Sequence, residues 1–258
     1  MTNIEKAKEK LQKDGYTHFN IKDFDENFYN YLLPFKCSEE KNLKNFMHNL
    51  RADYGNGKSK VNIQDKFESF EKASEKKKEI LNFIKTNKVP VQQVWFFHDS
   101  IRDILGEMFY SELRTNRDWY EIIENEYLVY KNFIYNIVRY LFDFDNNQEF
   151  VLFSPTLTYY DTDCELGNHS DGTTTARICA LLIYLNETYD ETDGGLLILN
   201  NKEKVIPTFG NIAIIDLQSF DIPHEVTKVT NGIGRYAFLS FVKTKENEFI
   251  MNTEELKK

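Results

Sequence analysis

LTYYDTDCELGNHSDGTTTARICALLIYLNETYDETDGGLLILNNKEKVIPTFGNIAIIDLQSFDIPHEVTKVTNGIGRYAFLSF, residues 157–241, is the stretch from which the fold can be read. Short β-branched and aromatic runs follow one another in it: 177–185, 196–199, 212–216 and 236–242. Turn signals part them, at Asp193-Gly194-Gly195, from Pro207 to Gly210, and at Asn231-Gly232 with Gly234. Many short strands in succession predict a β-barrel or double-sheet jelly roll. Polar residues with strong chemistry punctuate the runs: His169-Ser170-Asp171, a lone His224, and Arg235.

Two imidazoles and one carboxylate on one side of a metal make the facial triad of non-haem Fe(II) sites, which leaves three coordination positions open. Side chains alternate along a strand, so His169 and Asp171 are expected to point the same way. His224 opens a second β-like run, 224–229, and serves as a third ligand only if the fold returns this run beside the first. Arg235 lies eleven residues further on, at the head of the run 236–242. A guanidinium there offers a planar fork for a carboxylate.

The segment resembles the catalytic domain of Fe(II)/2-oxoglutarate-dependent oxygenases, in particular the prolyl 4-hydroxylase-like branch. The resemblance rests on an ordered set: Tyr160, His169 and Asp171, Arg177 to Tyr184-Leu185-Asn186, Gly194-Gly195, Pro207-Thr208-Phe209-Gly210, His224-Glu225-Val226 and Arg235. It covers about a third of the chain. It implies Fe(II) held by His169, Asp171 and His224, with 2-oxoglutarate as co-substrate and O2 as oxidant; ascorbate is a further candidate. It implies that Arg235 and the Tyr184 hydroxyl take the distal carboxylate of 2-oxoglutarate, and that Tyr160 touches the same molecule near the metal. Tyr159 and Tyr160 face opposite ways on a strand, so only one can point inward. Arg177 stands where prolyl hydroxylases carry an arginine that meets substrate; a structural ion pair is the other reading. Phe241 departs from the pattern, because those enzymes often carry Trp there. Related halogenases replace the carboxylate of the triad by Gly or Ala, so Asp171 favours hydroxylation.

Composition bounds the rest. The chain has 258 residues, 41% hydrophobic and 15% aromatic, enough for a substantial core without disulfides. Its three cysteines, Cys37, Cys164 and Cys179, form no Cys-x-x-Cys pair, which fits a reducing compartment. The net charge of -9 with no basic stripe argues against nucleic acid as partner. The opening MTNIEKAKEKLQKDG has no apolar leader, and no run approaches the ~20 apolar residues of a membrane span. A soluble, cytoplasmic protein is expected, without a membrane partner.

Before the β-rich stretch, apolar spacing predicts a helix over 4–13 stopped by Asp14-Gly15, a strand over 16–21 and a helix over 26–35. His18 on that strand reads as a surface or satisfied structural histidine. A polar loop over 51–65, an amphipathic helix over 66–85, and strand then helix over 94–113 follow. Trp95-Phe96-Phe97-His98 reads as core. A long helix over 119–142 carries an apolar stripe broad enough to bury against a sheet. The expected architecture is α+β: a double-stranded β-helix (jelly-roll) barrel buttressed by N-terminal and inserted helices. It forms a single domain over 1–258. Residues 1–149 give mainly helical support with a lead-in strand, 150–245 the catalytic core, and 246–258 a polar tail.

The expected activity is hydroxylation of an unactivated C–H of an amino-acid-like small molecule or a protein side chain, with succinate and CO2 as co-products. A peptidyl-prolyl substrate is the first alternative. Outside catalysis, a jelly roll that binds a small carboxylic acid through Arg235 is the second, and a scaffold acting through the helical half is the third.

Overall fold

Thr2 starts the first helix with a reciprocal cap. Its hydroxyl accepts from the Glu5 N–H (3.3 Å), and the Glu5 carboxylate accepts from the Thr2 N–H (2.7 Å). Helix α1, Asn3–Asp14, buries Ala7 and Leu11 and stops at Gly15, whose φ of +80° closes its last turn. Strand β1, Tyr16–Asn20, and helix α2, Glu26–Leu32, follow; a short 3-10 turn, Leu33–Phe35, completes the helical stretch expected over 26–35. The computed structural model describes residues 1–37, 86, 93–98, 101–102, 117–173 and 177–245. The loop expected over 51–65, the helix over 66–85, the helical part of 94–113 and the tail 246–258 lie outside them, as do the side chains of Trp95–His98.

Among the described residues the remaining strands and α-helices are β2 (Gln93–His98), β3 (Ile101–Arg102), helix α3 (Arg117–Phe142), β4 (Phe150–Tyr160), β5 (Leu166–His169), β6 (Cys179–Tyr184), β7 (Leu197–Leu199), β8 (Glu203–Val205), β9 (Asn211–Asp216), β10 (His224–Val226) and β11 (Arg235–Thr244). They form two sheets. A seven-stranded sheet runs β1-β9-β6-β11-β4-β2-β3, antiparallel except for the β2–β4 pair, and a four-stranded antiparallel sheet runs β5-β10-β7-β8.

Period-2 alternation divides the seven-stranded sheet between two cores. Leu181 and Ile183 of β6, Ile212 and Ile214 of β9, and Tyr236 and Phe238 of β11 turn toward the helices. Helix α3 meets them with Tyr130, Ile134, Ile137 and Leu141, one apolar stripe at helical spacing. Phe28 of α2 stacks on Phe133 with ring centroids 3.7 Å apart, and Tyr130 meets Phe238 edge-on at 5.8 Å. The alternate residues, Ala180 and Tyr184, Ala213 and Ile215, and Ala237, turn the other way and share a second core with Leu197, Leu199, Val205 and Val226 of the four-stranded sheet. The helix expected over 119–142 is thus found, and from Tyr127 onward its apolar stripe faces the sheet. Alternation through the run 177–185 predicts Ile178 on the face of Ala180 and Tyr184, but it precedes the strand and packs in the helix-side core.

Pro155 marks a bend in this frame. Leu239 pairs with Thr156 and Phe241 with Phe153, so Ser154 and Pro155 together face Ser240 in a bulge. Proline has no N–H to give to a ladder, and the β2–β4 pairing starts only after it, at Thr156. No helix among the described residues is long and apolar enough to cross a membrane.

Candidate metal and oxoacid site

His169 ends β5, His224 begins β10, and the two are direct cross-strand partners. Their rings lie 4.3 Å apart between centroids. Each ring is held in the same way. The His169 Nδ1 donates to the Gly167 carbonyl (2.9 Å), and the His224 Nδ1 donates to the Ile222 carbonyl (3.0 Å). A carbonyl can only accept, so each Nδ1 carries a proton, which in the neutral ring leaves the lone pair on Nε2. Burial pushes the His224 pKa below the usual histidine value, against the opposing pull of the Ile222 carbonyl and Asp171, so the ring stays neutral.

Asp171 completes the cluster, although not along the expected route. β5 stops at His169, and Asp171 lies beyond it in a turn whose next residue, Gly172, has φ +73°. Strand alternation therefore does not aim this carboxylate; the turn does. Asp171 Oδ2 sits 3.9 Å from His224 Nε2, and one donor atom from each of His169, Asp171 and His224 lies within 4.8 Å of the others. Two neutral imidazoles and a carboxylate suit a divalent first-row metal and leave positions for other ligands. The β-run expected over 224–229 is also shorter. Regular pairing ends at Val226, and the Thr227 hydroxyl accepts from the Leu196 N–H (2.9 Å).

The other pole of the site is Arg235, the first residue of β11 and fully buried. It pairs in register with Tyr160, and its guanidinium lies 4.9 Å from the Tyr160 ring centroid and 5.1 Å from that of Tyr184. One terminal nitrogen donates weakly to the Tyr184 hydroxyl at 3.4 Å. Nε and the other terminal nitrogen have no hydrogen-bond partner among the described residues. An unpaired buried cation costs several kcal/mol, about the penalty of leaving any ion uncompensated. The arrangement is one that an entering carboxylate completes, with both unmatched nitrogens on a fork of the right shape. Burial raises the Tyr184 pKa and the Arg235 charge only partly offsets this, so the phenol stays a neutral donor.

Both poles open on one cavity of about 190 Å³. Its deep walls are Ala180, Leu197, Ile215 and Val226, with Thr158 and Tyr160 on β4; half-buried Leu182, Leu239 and Phe241 form the rim. The Tyr159–Tyr160 alternative resolves by register with Arg235. Tyr160 lines the cavity, whereas Tyr159 packs on Tyr236 at 4.7 Å on the helix side and donates to Asp161 (3.0 Å). Beside the rim residue Phe241 the Arg177 guanidinium lies 5.1 Å from the ring centroid, and its Nε has no hydrogen-bond partner among the described residues. His18 does not line this cavity and is satisfied by Glu203 at 2.7 Å, as a structural histidine.

The sequence did not single out Tyr189. Its hydroxyl and the Arg235 stem share the space over Gly195. A Cβ there would lie 2.6 Å from the hydroxyl and 3.2 Å from Arg235 Cδ, so the second glycine of Gly194-Gly195 makes room for both. Burial pushes the Tyr189 phenol up to about 12, with the nearby Arg235 charge opposing.

The family model described as the 2OG-Fe(II) oxygenase superfamily matches residues 155–243, the span that holds both poles. The match covers about a third of the chain and makes this span similar to the 2OG-Fe(II) oxygenase superfamily. Oxygenases of this superfamily use Fe(II), 2-oxoglutarate and O2, and the donor set and the unmatched arginine of this chain fit the first two. Solved structures to which this chain shows similarity include a Trichoplax adhaerens prolyl hydroxylase in complex with a hypoxia inducible factor oxygen degradation domain peptide fragment. It is 14% identical, with 96% of this chain and 91% of that one covered and a TM-score of 0.47. A Pseudomonas putida prolyl-4-hydroxylase is 14% identical, with 94% and 93% covered and a TM-score of 0.42. The viral collagen prolyl hydroxylase of Paramecium Bursaria Chlorella virus-1 is 14% identical, with 65% and 88% covered and a TM-score of 0.37. No curated protein matches the sequence significantly.

Proposed function

We propose that this oxygenase is an Fe(II)/2-oxoglutarate-dependent dioxygenase of the prolyl 4-hydroxylase-like branch. It hydroxylates an unactivated C–H of an amino-acid-like small molecule or a protein side chain. One observation carries the reading: a fully buried guanidinium with two unmatched nitrogens shares a cavity with His169, Asp171 and His224. The single domain spans residues 1–258, and the strands that 150–245 contribute to the two sheets form the double-stranded β-helix core.

In this reading His169 and His224 hold iron through Nε2 and Asp171 through its carboxylate. Arg235 takes the distal carboxylate of 2-oxoglutarate, the Tyr184 hydroxyl donates to it, and the Tyr160 ring packs beside it. Bound there, iron with 2-oxoglutarate and O2 supplies the oxidation of a C–H bond, with succinate and CO2 as co-products. The chain itself binds, orients and excludes water. The carbonyls of Gly167 and Ile222 keep a proton on each Nδ1, so both lone pairs stay available. The leucine, isoleucine and valine walls keep the interior dry, which limits side reactions and strengthens the Arg235 interaction. Arg177 and Phe241 at the rim meet the substrate.

A peptidyl proline is the second reading, favoured by the arginine–aromatic stack at the rim. Succinate release from 2-oxoglutarate, with free amino acids in one series and proline-containing peptides in another, tests both. Iron-dependent succinate, stimulated by one series and absent in His224→Ala, is expected. Tight 2-oxoglutarate binding without turnover under any of these conditions points instead to a jelly roll that only binds a small acid.

A further inference from the structure

The two segments that carry the metal-binding side chains are joined a second time, beyond the ends of their strands. β5 and β10 pair at His169 and His224 and then part. Past that point the Ser170 hydroxyl donates to Asp221 Oδ1 and accepts from the Gly172 N–H (3.0 Å). Residues 170 and 172 thus share one hydroxyl, and Asp171 is the residue the turn encloses. On the opposite side Asp221 belongs to a segment with fixed anchors. The Asp216 carboxylate accepts from the N–H groups of Gln218 (2.8 Å) and Ser219 (3.1 Å). Phe220 lies against Gly15, where a Cβ would come within 2.3 Å of its ring.

We propose that Ser170 and Asp221 are positioning residues for the metal centre: their hydrogen bond locks the turn that aims the Asp171 carboxylate at the two histidines. This rests on the reading of His169, Asp171 and His224 as the iron ligands. Asp171 has no strand to fix its direction, so the turn must do so. The chain closes that turn with a side chain between two ligands and ties it to the segment that delivers the third. Both partners are exposed, so their removal leaves the two cores intact.

The test is anaerobic titration of the full chain with Co(II) alone, followed by absorption, alongside the melting temperature of each variant. Removal of a hydrogen-bonding group that orients a metal ligand typically costs about 10- to 100-fold in affinity. Ser170→Ala and Asp221→Ala are each expected to weaken Co(II) binding by ~10-fold or more at an unchanged melting temperature. Asp221→Asn keeps an acceptor oxygen and Ser170→Thr keeps a hydroxyl, so both should bind within about 3-fold of the parent, well inside that range. Parent-like affinity in both alanine variants overturns the lock while leaving the metal site standing. An Asp221→Asn variant as weak as Asp221→Ala also overturns it, because charge rather than the hydrogen bond would then matter. A parent chain that binds no Co(II) overturns the ligand assignment itself.

Discussion

β11 has two faces, and the chain finishes only one of them. On the helix side Tyr236, Phe238 and Val242 are buried among aromatic and aliphatic partners. On the other side Ala237 packs in the second core, and Arg235, Leu239 and Phe241 line the cavity, where the Arg235 guanidinium keeps two nitrogens unmatched. Neighbouring residues of one strand thus differ in what satisfies them. The helix-side face is packed by folding, with only the neutral Tyr236 hydroxyl left without a hydrogen-bond partner among its described residues, whereas the inner face keeps a buried charge for a ligand to match. Substitutions on the two faces should therefore fail in different assays.

The largest expected effect is on the finished face. Phe238→Ala removes a ring packed between Tyr130 and Phe35 and should destabilise the chain by about 3–5 kcal/mol, read by denaturant or thermal unfolding. Arg235→Met should do the reverse of this on both counts. It removes an uncompensated buried cation, so stability holds or rises, while 2-oxoglutarate affinity falls by the ~2–5 kcal/mol typical of breaking a buried charge pair. A large loss of stability in Arg235→Met would break the contrast between the faces. Tyr184→Phe sharpens it: the ring stays and the donor goes, at about 1.5–3 kcal/mol of 2-oxoglutarate affinity for a hydrogen bond to a charged group.

The smallest effect lies at the sheet edges. Glu203 of β8, at the edge of the smaller sheet, meets Lys10 of α1 (2.6 Å) and His18 of β1 (2.7 Å), at the edge of the larger. Burial alone would raise the Glu203 pKa, but hydrogen bonds from Lys10 and His18 outweigh it and hold the carboxyl below the usual glutamate value. A lowered folded-state pKa stabilises the protein above the unfolded value of about 4.3, and the gain is lost as pH falls through the folded value. Glu203→Gln should therefore flatten the acid limb of a stability–pH profile. It should cost no more than about 1 kcal/mol at neutral pH, as expected for a partly exposed pair.

Much of this was legible in the sequence because short-range patterns carried it. The stripe of α3 and the alternation in β6, β9 and β11 each recur within a few residues. The ligand trio and Arg235 were legible from residue type and order. What was not legible depends on partners distant in the chain. Alternation says that Tyr159 and Tyr160 part, but only the register of Tyr160 with Arg235 says which turns inward. Asp171 was assigned to a strand because nothing local betrays the turn except Gly172. Strand β8, three residues long, is too short to show a period. The Ser170–Asp221 bond spans 51 positions, and no spacing rule reaches that far.

The most direct test of the central claim is an anaerobic titration of the full chain with Fe(II) and 2-oxoglutarate, followed by the visible charge-transfer absorption of the chelate. Absorption is expected in the parent chain, abolished in His224→Ala, and shifted to far higher 2-oxoglutarate concentrations in Arg235→Met. A folded, iron-loaded parent chain that shows no such absorption contradicts the claim that its two unfinished groups, the metal trio and the buried arginine, await one ligand.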